Sequence, residues 1–530
     1  MERLPIFRVL GLGHIDPAKE AFIFVNTDGS DERVTLGGLY ENSNRMARTL
    51  IANNIGKGDS FAIVMRNHPE FLYAMFAALT IGAVAVPIDP RSKGDKLAYQ
   101  IKNSRAKGIL VSAEFLGNIK EIFDHIKNSR LIGVVYKPHH GLQPSPDFPD
   151  IQGVLSSQSP ELPGETLDLD LKRPSQIIYT SGTTGDPKGV VLKAERFMLY
   201  GMLASIWDYK DDDIPYTGLS LTHGNAQAVT VFPSLAKGIK AVISERFTKS
   251  KIWDICRKYS CTTFSLLGGM MMGIYSEPHR PDDKDNPVRV VISAGTPQAI
   301  WREFEQRFNV KIHEWYGAVE GGFAQNPPGE CPIGSFGRPP EGIYEMKIVR
   351  EDDSECEPGE IGELIFRPVQ GKAEVEYYGN KKASKEKTRG GWQRTGDMCH
   401  RDEDGCFYFD FRKGGGLRRQ GDFILPEYIE KILSEQPEVT DVCVYGIPAE
   451  SGAPGESDIV AAIVPSEGKE IDIKRMFSVL ADSLEKNAVP SYIQVVDEIP
   501  KTASEKNLDR ILREEFRKDA PNVYRYGDFI

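Results

Sequence analysis

An eleven-residue stretch, residues 179–189 (YTSGTTGDPKG), concentrates residue types that bind phosphate. It holds four Ser/Thr hydroxyls, three glycines and one lysine. Glycine lets backbone N–H groups turn toward an anion, hydroxyls donate to phosphate oxygens or ligate Mg²⁺, and lysine adds a positive charge. The apolar residues 177–178 and 190–192 predict strands on both sides. The pattern predicts a loop, held at a sheet edge, that binds a nucleotide polyphosphate.

The identity of this loop depends on its spacing, because a solvent-exposed Ser/Thr/Gly-rich loop would have the same composition. The G-x-x-x-x-G-K-[ST] spacing of the common NTPases occurs nowhere in the chain. The stretch instead resembles the signature loop of the adenylate-forming superfamily, which includes acyl-CoA synthetases, firefly luciferase and the adenylation domains of peptide synthetases. The resemblance implies that the β- and γ-phosphates of ATP are held by Thr180, Ser181, Gly182, Thr183, Thr184, Gly185 and Lys188. It also implies that Ser181 contributes to a Mg²⁺ site.

Two later segments resemble the adenine side of the same superfamily. Residues 294–297 (AGTP) follow an apolar strand, and the carboxyl ends of strands are where α/β sheets bind ligands. Residues 314–320 (EWYGAVE) resemble the Y-G-x-T-E element. The resemblance implies nucleotide contacts by Gly295, Thr296, Pro297, Glu314, Trp315, Tyr316 and Gly317, and a Mg²⁺ contact by Glu320. Val319 replaces the family's threonine, so one hydrogen bond to the α-phosphate, worth about 1–3 kcal/mol, is expected to be absent or supplied elsewhere.

The ribose side and the hinge have their own segments. Residues 392–397 (WQRTGD) resemble the T-G-D element, which implies that Asp397 accepts both ribose hydroxyls; a carboxylate suits this role because it has two acceptor oxygens. A Gly-Asp pair is also common in ordinary turns. Residues 409–430 resemble the hinge segment, with Arg412 at the nucleotide and Arg418 and Gly421 on the CoA side. The hinge itself is a triple glycine, residues 414–416, that leaves φ unrestrained.

The last motif, residues 500–506 (PKTASEK), resembles the C-terminal element whose lysine contacts the reacting carboxylate and the α-phosphate. The resemblance implies that Lys506 is catalytic, although Glu505 replaces the usual glycine and a lone lysine is usually a solvated surface residue. Residues 41–45, 67–71 and 81–87 resemble the superfamily's N-terminal half. The resemblance therefore covers almost the whole chain.

The acyl pocket is predicted from one histidine motif and two flanking segments. His223 matches the histidine at the mouth of the superfamily's acyl pocket, where the resemblance implies a catalytic role. A lone histidine among polar residues is also commonly a structural hydrogen-bonding group. The expected lining residues are Asn225, Gln227, Gly268, Gly269 and Met270. The two amides favour a polar acid, and the segment resembles carnitine-CoA and short-chain acyl-CoA ligases.

Composition excludes several classes of protein. The chain has 530 residues, 40% of them hydrophobic, and a net charge of −11, which disfavours sequence-independent nucleic-acid binding. Seven cysteines without a C-x-x-C pair predict neither a disulfide framework nor a zinc site, and suit a reducing cytosol. No signal-peptide pattern begins the chain. Residues 71–88 are an uncharged run of membrane-spanning length, but residues 80–82 divide it into a core helix and a strand, so no integral membrane segment is expected.

Alternating strands and helices before residue 337 predict an α/β fold with parallel strands, and short strands after it predict an antiparallel, barrel-like section. Beyond the triple glycine, helices over 426–435 and 472–485 and strands over 441–446, 459–464 and 491–497 predict a small domain. We expect a large N-terminal domain, 1–411, of two αβ-layered subdomains, a hinge, 412–416, and a small mobile α+β domain, 417–530.

The predicted activity is that of a cytoplasmic, ATP- and Mg²⁺-dependent acyl-CoA synthetase that joins a small carboxylic acid to coenzyme A through an acyl-adenylate. Two alternatives stay open. One is an adenylating enzyme that loads a carrier-protein thiol or stops at acyl-AMP, and the other is a nucleotide-binding regulator without turnover. A homodimer is also open.

Overall fold

Two mixed sheets, a curled antiparallel sheet, a two-stranded sheet and a small C-terminal sheet make up the described part of the fold. The computed structural model describes residues 15–164, 170–180, 187–413, 417–419, 422–424, 426–449, 457–484, 487–502 and 507–529. Within these ranges the strands are β1 (Glu20–Val25), β2 (Asp31–Thr35), β3 (Ser60–Val64), β4 (Val84–Pro87), β5 (Gly108–Ser112), β6 (Arg130–Val135), β7 (Pro174–Thr180), β8 (Lys188–Lys193), β9 (Pro215–Thr217), β10 (Ala241–Ser244), β11 (Thr263–Leu267), β12 (Val290–Ala294), β13 (Lys311–Ala318), β14 (Gly321–Asn326), β15 (Ser335–Gly337), β16 (Tyr344–Val349), β17 (Gly362–Pro368), β18 (Gln393–Arg401), β19 (Phe407–Arg412), β20 (Leu417–Arg419), β21 (Asp422–Ile424), β22 (Val439–Pro448), β23 (Ser457–Pro465), β24 (Tyr492–Val495) and β25 (Val523–Arg525).

The helices of the described residues connect these strands. The α-helices are Leu36–Ala52, Pro69–Ile81, Gly94–Asn103, Leu116–Glu121, Ile151–Ser156, Glu195–Ile206, Phe232–Lys237, Ile252–Tyr259, Gly268–Tyr275, Trp301–Phe308, Lys381–Lys387, Pro426–Ser434, Ile473–Ser483 and Asp509–Glu515. Short 3₁₀ turns are Ala113–Phe115, Phe123–His125, Pro138–His140, Gln298–Ile300, Arg389–Gly391 and Tyr526–Asp528. A π-helix spans Ala226–Val231.

The predicted parallel strands form the centres of two sheets. One sheet has the order β6-β5-β3-β4-β7-β8 and the other β14-β13-β12-β11-β9-β10-β1-β2. Pairing is antiparallel only at the edges, between β7 and β8, β13 and β14, and β1 and β2. The barrel-like section is a curled sheet of five antiparallel strands, β15-β19-β18-β17-β16, and the small domain holds β22-β23-β24-β25. The predicted fold class is therefore confirmed.

The uncharged run at residues 71–88 lies in the protein core. Helix Pro69–Ile81 is buried on all sides and β4 follows it. A helix that is apolar all round must be covered by other elements, and its residues belong to one core cluster that also includes Phe22 of the larger sheet and Phe61 of the smaller one. The helix thus joins the two sheets. No helix of the described residues combines the length and apolarity needed to cross a bilayer.

Cysteine pairing corrects the sequence-based expectation. Cys331 and Cys406 form a disulfide, S–S 1.96 Å, that joins the segment after β14 to the start of β19. The pair is 75 residues apart in the chain, so spacing alone did not reveal it. The other five cysteines are buried thiols. The prediction of a reducing cytosol is therefore supported by five thiols and not by all seven cysteines.

A buried ion-pair network also connects the two sheets. The Lys137 ammonium, in a side chain only 4% exposed, lies 2.8 Å from Glu32 and 3.2 Å from Glu70. Glu32 belongs to β2 of one sheet, whereas Lys137 follows β6 of the other. Burial alone would lower the pKa of Lys137, but the two glutamates raise it above its usual value. Lys137 therefore forms buried ion pairs that link the two sheets.

We predict that Lys137→Met lowers the free energy of unfolding by about 3–5 kcal/mol, because it leaves the buried Glu70 carboxylate without its cation. Urea unfolding of the full chain, followed by tryptophan fluorescence, measures the change. Lys127→Met is the matched control, since the Lys127 side chain is 76% exposed. Equal unfolding midpoints for the two variants would contradict this role of Lys137.

Candidate active site

The phosphate-side elements meet at the ring of Tyr377. Thr180 ends β7 and Lys188 begins β8, so the two residues flank the predicted loop; Ser181, Gly182, Thr183, Thr184 and Gly185 lie outside the described residues. The Lys188 ammonium lies 5.4 Å from the centroid of the Tyr377 ring. The Tyr377 hydroxyl donates to Glu320 at 3.0 Å. The lysine predicted to bind phosphate and the glutamate predicted to bind Mg²⁺ thus contact one side chain.

Tyr377 reaches this position because its segment pairs with β8 through backbone hydrogen bonds. The Tyr378 N–H donates to the Gly189 carbonyl at 2.8 Å, and the Val191 N–H donates to the Glu376 carbonyl at 2.8 Å. This segment therefore runs along β8 although almost two hundred residues separate them. Sequence analysis missed Tyr377, because only the tertiary pairing places it at the phosphate side.

The adenine-side turn is held by a buried carboxylate. Gly295, Thr296 and Pro297 follow β12, and Glu314 lies on the neighbouring β13. The Gly295 and Thr296 N–H groups donate to the Glu314 carboxylate at 2.6 Å and 3.2 Å, and the Thr296 hydroxyl donates to it as well. Glu314 thus has an observed positioning function for the turn, whereas its predicted nucleotide contact stays a prediction.

Two glycines allow the turn to form. Gly295 has φ +78°, a left-handed conformation that favours glycine. A Cβ on Gly268 would lie 1.9 Å from the Gly295 carbonyl oxygen. Gly268, predicted to line the acyl pocket, therefore makes room for the adenine-side turn. Gly269 follows it in helix Gly268–Tyr275, and the Met270 side chain is buried in the core cluster.

A hydrogen bond joins the predicted adenine and ribose elements. The Tyr316 hydroxyl on β13 donates to the Asp397 carboxylate on β18 at 2.5 Å. The Tyr316 ring stacks on Phe336 with centroids 4.7 Å apart. The Asp397 N–H donates to the Thr395 hydroxyl at 2.9 Å, which fixes the backbone of the turn. Arg412, on β19, pairs with Asp397 across the sheet, and its side chain lies outside the described part of the structure.

Trp315 faces away from these groups. Its indole packs against Trp207 and Phe323, with ring centroids 5.7 Å and 5.9 Å away. Since successive side chains of a strand point to opposite faces, Trp315 and Tyr316 cannot both face the nucleotide. The nucleotide contact expected for Trp315 stays a prediction, and the packing of its side chain on Trp207 and Phe323 argues against it. Gly317 follows on β13, where a Cβ would lie 2.6 Å from the Trp315 ring.

The acyl-side residues lie in a loop that leads into the π-helix. His223 Nδ1 accepts a hydrogen bond from the Asn225 N–H at 3.3 Å, so a neutral ring carries its proton on Nε2. The Gln227 amide donates to the Leu221 carbonyl at 2.9 Å. Both amide atoms of Asn225, a residue 3% exposed, lack a hydrogen-bond partner, and so does the Gln227 carbonyl oxygen. Buried unpaired amides at a π-helix point to an unfilled polar site.

Val319 connects the acyl side to the phosphate side. It packs with Ile178, Val190 and Tyr377 in an apolar cluster. A Cβ added to Gly224, the residue after His223, would lie 3.7 Å from the Val319 side chain. The replacement of the family's threonine therefore removes a hydroxyl from a site with apolar neighbours.

Asn67 fixes the loop that carries His223. The Asn67 amide donates to the Leu219 and Ser244 carbonyls, each at 2.8 Å, and accepts from the Leu221 N–H at 2.8 Å. The residue is almost fully buried. In the sequence, residues 67–71 were assigned only by resemblance. An asparagine shortly before a helix could have indicated a side chain that hydrogen-bonds to the backbone of neighbouring loops.

The remaining predicted residues belong to the small domain. Arg418 lies in β20, which pairs with β21, while its side chain lies outside the described residues. Gly421, the hinge glycines 414–416 and Lys506 also lie outside the described residues. The roles of these residues stay predictions, as do the domain boundaries at 411 and 417.

Comparison with known proteins identifies the family. Residues 14–370 match the model of the AMP-binding enzyme family, and residues 428–506 match the C-terminal domain of AMP-binding enzymes. The crotonobetaine/carnitine–CoA ligase of Salmonella agona is 29% identical over 510 residues, covering 93% of this chain and 96% of the relative. The ligase of the same name from Salmonella paratyphi C is 30% identical over 516 residues, with the same coverage.

Solved structures share the fold. An anthranilate CoA ligase in complex with anthranoyl-AMP matches with a TM-score of 0.82 and 22% identity, covering 96% of each chain. A benzoate CoA ligase from Burkholderia xenovorans matches with a TM-score of 0.81 and 21% identity, covering 96% of this chain and 99% of the other. The chain belongs to the AMP-binding enzyme family, the adenylate-forming enzymes that its motifs resemble.

Glu314 gives the site a pH dependence that can be measured. Burial raises the pKa of Glu314 to about 8, although the hydrogen bonds from Thr296 and Gly295 oppose the shift. Between about pH 4.5 and pH 8 the folded state therefore keeps a proton that the unfolded chain releases. The free energy of unfolding falls as the pH rises through this range.

We predict that the free energy of unfolding of the parent falls by about 2–3 kcal/mol between pH 6 and pH 9, relative to Glu314→Gln, which cannot ionise. Unfolding midpoints across this range measure the difference. Glu330→Gln, at an exposed position, is the control and should keep the parent's pH profile. Parallel profiles for the parent and Glu314→Gln would refute the raised pKa.

Proposed function

We propose that the protein is an ATP-dependent acyl-CoA synthetase. A carboxylic acid and ATP would give acyl-AMP and pyrophosphate, and the thiol of CoA would then displace AMP to give acyl-CoA. The observation that carries this proposal is the Tyr316–Asp397 hydrogen bond, which joins the adenine-side and ribose-side elements of one nucleotide site. Membership of the AMP-binding enzyme family and the CoA-ligase names of the relatives support it.

The first half-reaction is mainly a matter of charge. A carboxylate resists nucleophiles because its leaving group would be oxide, and transfer of AMP to one of its oxygens supplies a better leaving group. The phosphate chain carries several negative charges, and fixed cations and dipoles stabilise the charge that develops as pyrophosphate departs. Lys188, the first residue of β8, would bind these oxygens, and Lys506 would act on the carboxylate and the α-phosphate.

A Mg²⁺ ion is compatible with the carboxylate at Glu320. The Glu320 oxygen that accepts from Tyr377 leaves further lone pairs of the carboxylate for a metal ligand, and Mg²⁺ prefers one or two carboxylates together with phosphate oxygens. Ser181 would be the second protein ligand. When bound, the ion neutralises charge on the phosphate oxygens.

The second half-reaction requires the thiol to reach the carbonyl carbon of the acyl-adenylate, which Lys506 would shield in the first half-reaction. We propose that the small domain, 417–530, rotates about the hinge 412–416, withdraws Lys506 and brings the Arg418–Gly421 segment to the site. A triple glycine suits such a hinge, because it offers little torsional resistance. A cytoplasmic location and a homodimer stay predictions from sequence.

The acid is proposed to be small and polar. Asn225 presents an unpaired donor and an unpaired acceptor in a buried setting, and leaving such groups unpaired costs free energy. A hydroxyl, an amide or a charged group on the acyl chain would satisfy them, whereas a plain alkyl chain would not. The names of the crotonobetaine/carnitine–CoA ligases agree with a polar acyl group.

Release of pyrophosphate with a panel of carboxylic acids, with and without CoA, tests the proposal. We expect acid-dependent pyrophosphate release, with acyl-CoA and AMP as final products, and a preference for polar over unsubstituted short-chain acids. Acyl-AMP that CoA does not consume would indicate a carrier-protein loader. ATP binding without pyrophosphate release for any acid would indicate a regulator.

Lys506→Ala separates the half-reactions. We predict a loss of about 10²–10³-fold in acyl-AMP formation, the usual cost of removing one charge-stabilising donor, with thioester formation from supplied acyl-AMP retained. Single-turnover rates of the two steps measure this split, and Lys501→Ala, in the same C-terminal motif, is the matched control. An equal loss in both steps would contradict the role given to Lys506.

A further inference from the structure

Five ligand-type side chains outside the nucleotide site form a cluster at the carboxyl ends of strands from both large sheets. We call His68, Glu114, His139, His140 and Glu245 the histidine–glutamate cluster. His68 follows β3, Glu114 follows β5, the two adjacent histidines follow β6, and Glu245 follows β10. Because β3, β5 and β6 are neighbouring parallel strands, their ends lie side by side, and Glu245 joins them from the other sheet.

Glu245 is the centre of the cluster. His139 Nε2 donates to one Glu245 oxygen at 2.9 Å, and His140 Nε2 donates to the other at 2.7 Å. The Thr27 N–H donates to the same carboxylate at 3.0 Å. The ligand atoms of His139, His140 and Glu245 all lie within 4.8 Å of one another, and so do those of His68, Glu114 and Glu245. Two imidazoles and one carboxylate at this spacing form a set of zinc ligands.

His140 has the orienting contact that metal-bound histidines require. Its Nδ1 lies 2.5 Å from Glu114 Oε2, on the side of the ring opposite Nε2. Arg66 in turn donates to the other Glu114 oxygen at 2.6 Å. A ligating imidazole commonly gives its second N–H to a carboxylate, which fixes the ring and its tautomer. With Nδ1 beside Glu114, Nε2 of His140 would be the ligand atom, and Zn²⁺ would replace the proton that Nε2 shares with Glu245 in the metal-free cluster.

His68 supplies an independent observation. The residue is fully buried, and neither ring nitrogen has a hydrogen-bond partner. Its ring centroid lies 6.0 Å from that of His140, in an edge-on arrangement. An unpaired imidazole beside Glu245 is the kind of group that a bound metal would satisfy.

The charges around the cluster favour a cation. Glu114 and Glu245 carry two negative charges, and Arg66 offsets one of them, with its Nε 3.8 Å from Glu245. Lys137, the next cation, is paired with Glu32 and Glu70. Three imidazoles select Zn²⁺ or a similar transition metal over Mg²⁺.

We propose that the histidine–glutamate cluster is a Zn²⁺ site in which His139, His140 and Glu245 are ligands. His68, whose ligand atom lies close to those of Glu114 and Glu245 rather than to those of the other two histidines, would turn toward the ion as the fourth ligand. Glu114 and Arg66 hold the His140 ring. The site would connect the two sheets near the acyl side, because the Asn67 N–H, beside His68, donates to the Glu245 carbonyl at 3.3 Å and its side chain clamps residues 219–221. The alternative is a network without metal, in which an imidazolium on His140 bridges Glu114 and Glu245.

Zn²⁺ binding to the full chain, stripped of metal by a chelator and without nucleotide, tests the proposal independently of the proposed activity. The probe is Zn²⁺ titrated against a chromophoric chelator. We expect one tight site per chain, a higher unfolding temperature with Zn²⁺, and no displacement by millimolar Mg²⁺. The variant His139→Gln/His140→Gln should bind at least about 100-fold more weakly. His125→Gln, at an exposed position, is the matched control and should bind as the parent does.

A spectroscopic measurement on the parent avoids reliance on variants that fail to fold. Co²⁺ in place of Zn²⁺ should give the intense visible absorption of a four-coordinate site, and Zn²⁺ should abolish it. Parent protein that binds Zn²⁺ no more tightly than the double variant, or Co²⁺ that shows only the weak absorption of the hydrated ion, would overturn the proposal in favour of the metal-free network.

Discussion

The hydrogen bond between Tyr316 and Asp397 is the contact on which the candidate nucleotide site depends. Tyr316 belongs to the large mixed sheet and Asp397 to the curled antiparallel sheet, so the bond adds a side-chain link between two sheets that are also joined by backbone hydrogen bonds between Gln325 and Arg338. Each partner is also fixed on its own side, by the stacking of Tyr316 on Phe336 and by the turn at Thr395. A nucleotide that used both residues would find its adenine and ribose positions set beforehand.

The same principle operates elsewhere in the site, where polar side chains join strand ends. Asn67 connects the end of β10 to the loop before His223, and Glu314 holds the turn after β12. Parallel strands leave their carboxyl ends with unpaired backbone groups, and side-chain amides and carboxylates satisfy them. Buried polar contacts therefore hold the loops that carry the candidate site residues.

Local patterns in the sequence predict much of this fold. Apolar runs indicated β7, β8, β22 and β23 to within three residues, and alternation could have separated Trp315 from Tyr316. Contacts between residues that are far apart in the sequence could not be predicted from these local patterns. Tyr377 reaches the site through a crossing beside β8, Cys331 and Cys406 meet across 75 residues, and Asn67 binds Ser244 across 177 residues.

The central claim is that the carboxylate of the acid attacks the α-phosphorus of ATP. An acid labelled with heavy oxygen in its carboxylate tests this directly, because the attacking oxygen stays on the phosphorus when the thiol later displaces AMP. Mass spectrometry of the products should find one labelled oxygen in AMP and none in pyrophosphate. Label in inorganic phosphate, or AMP without label while acyl-CoA forms, would contradict an acyl-adenylate intermediate.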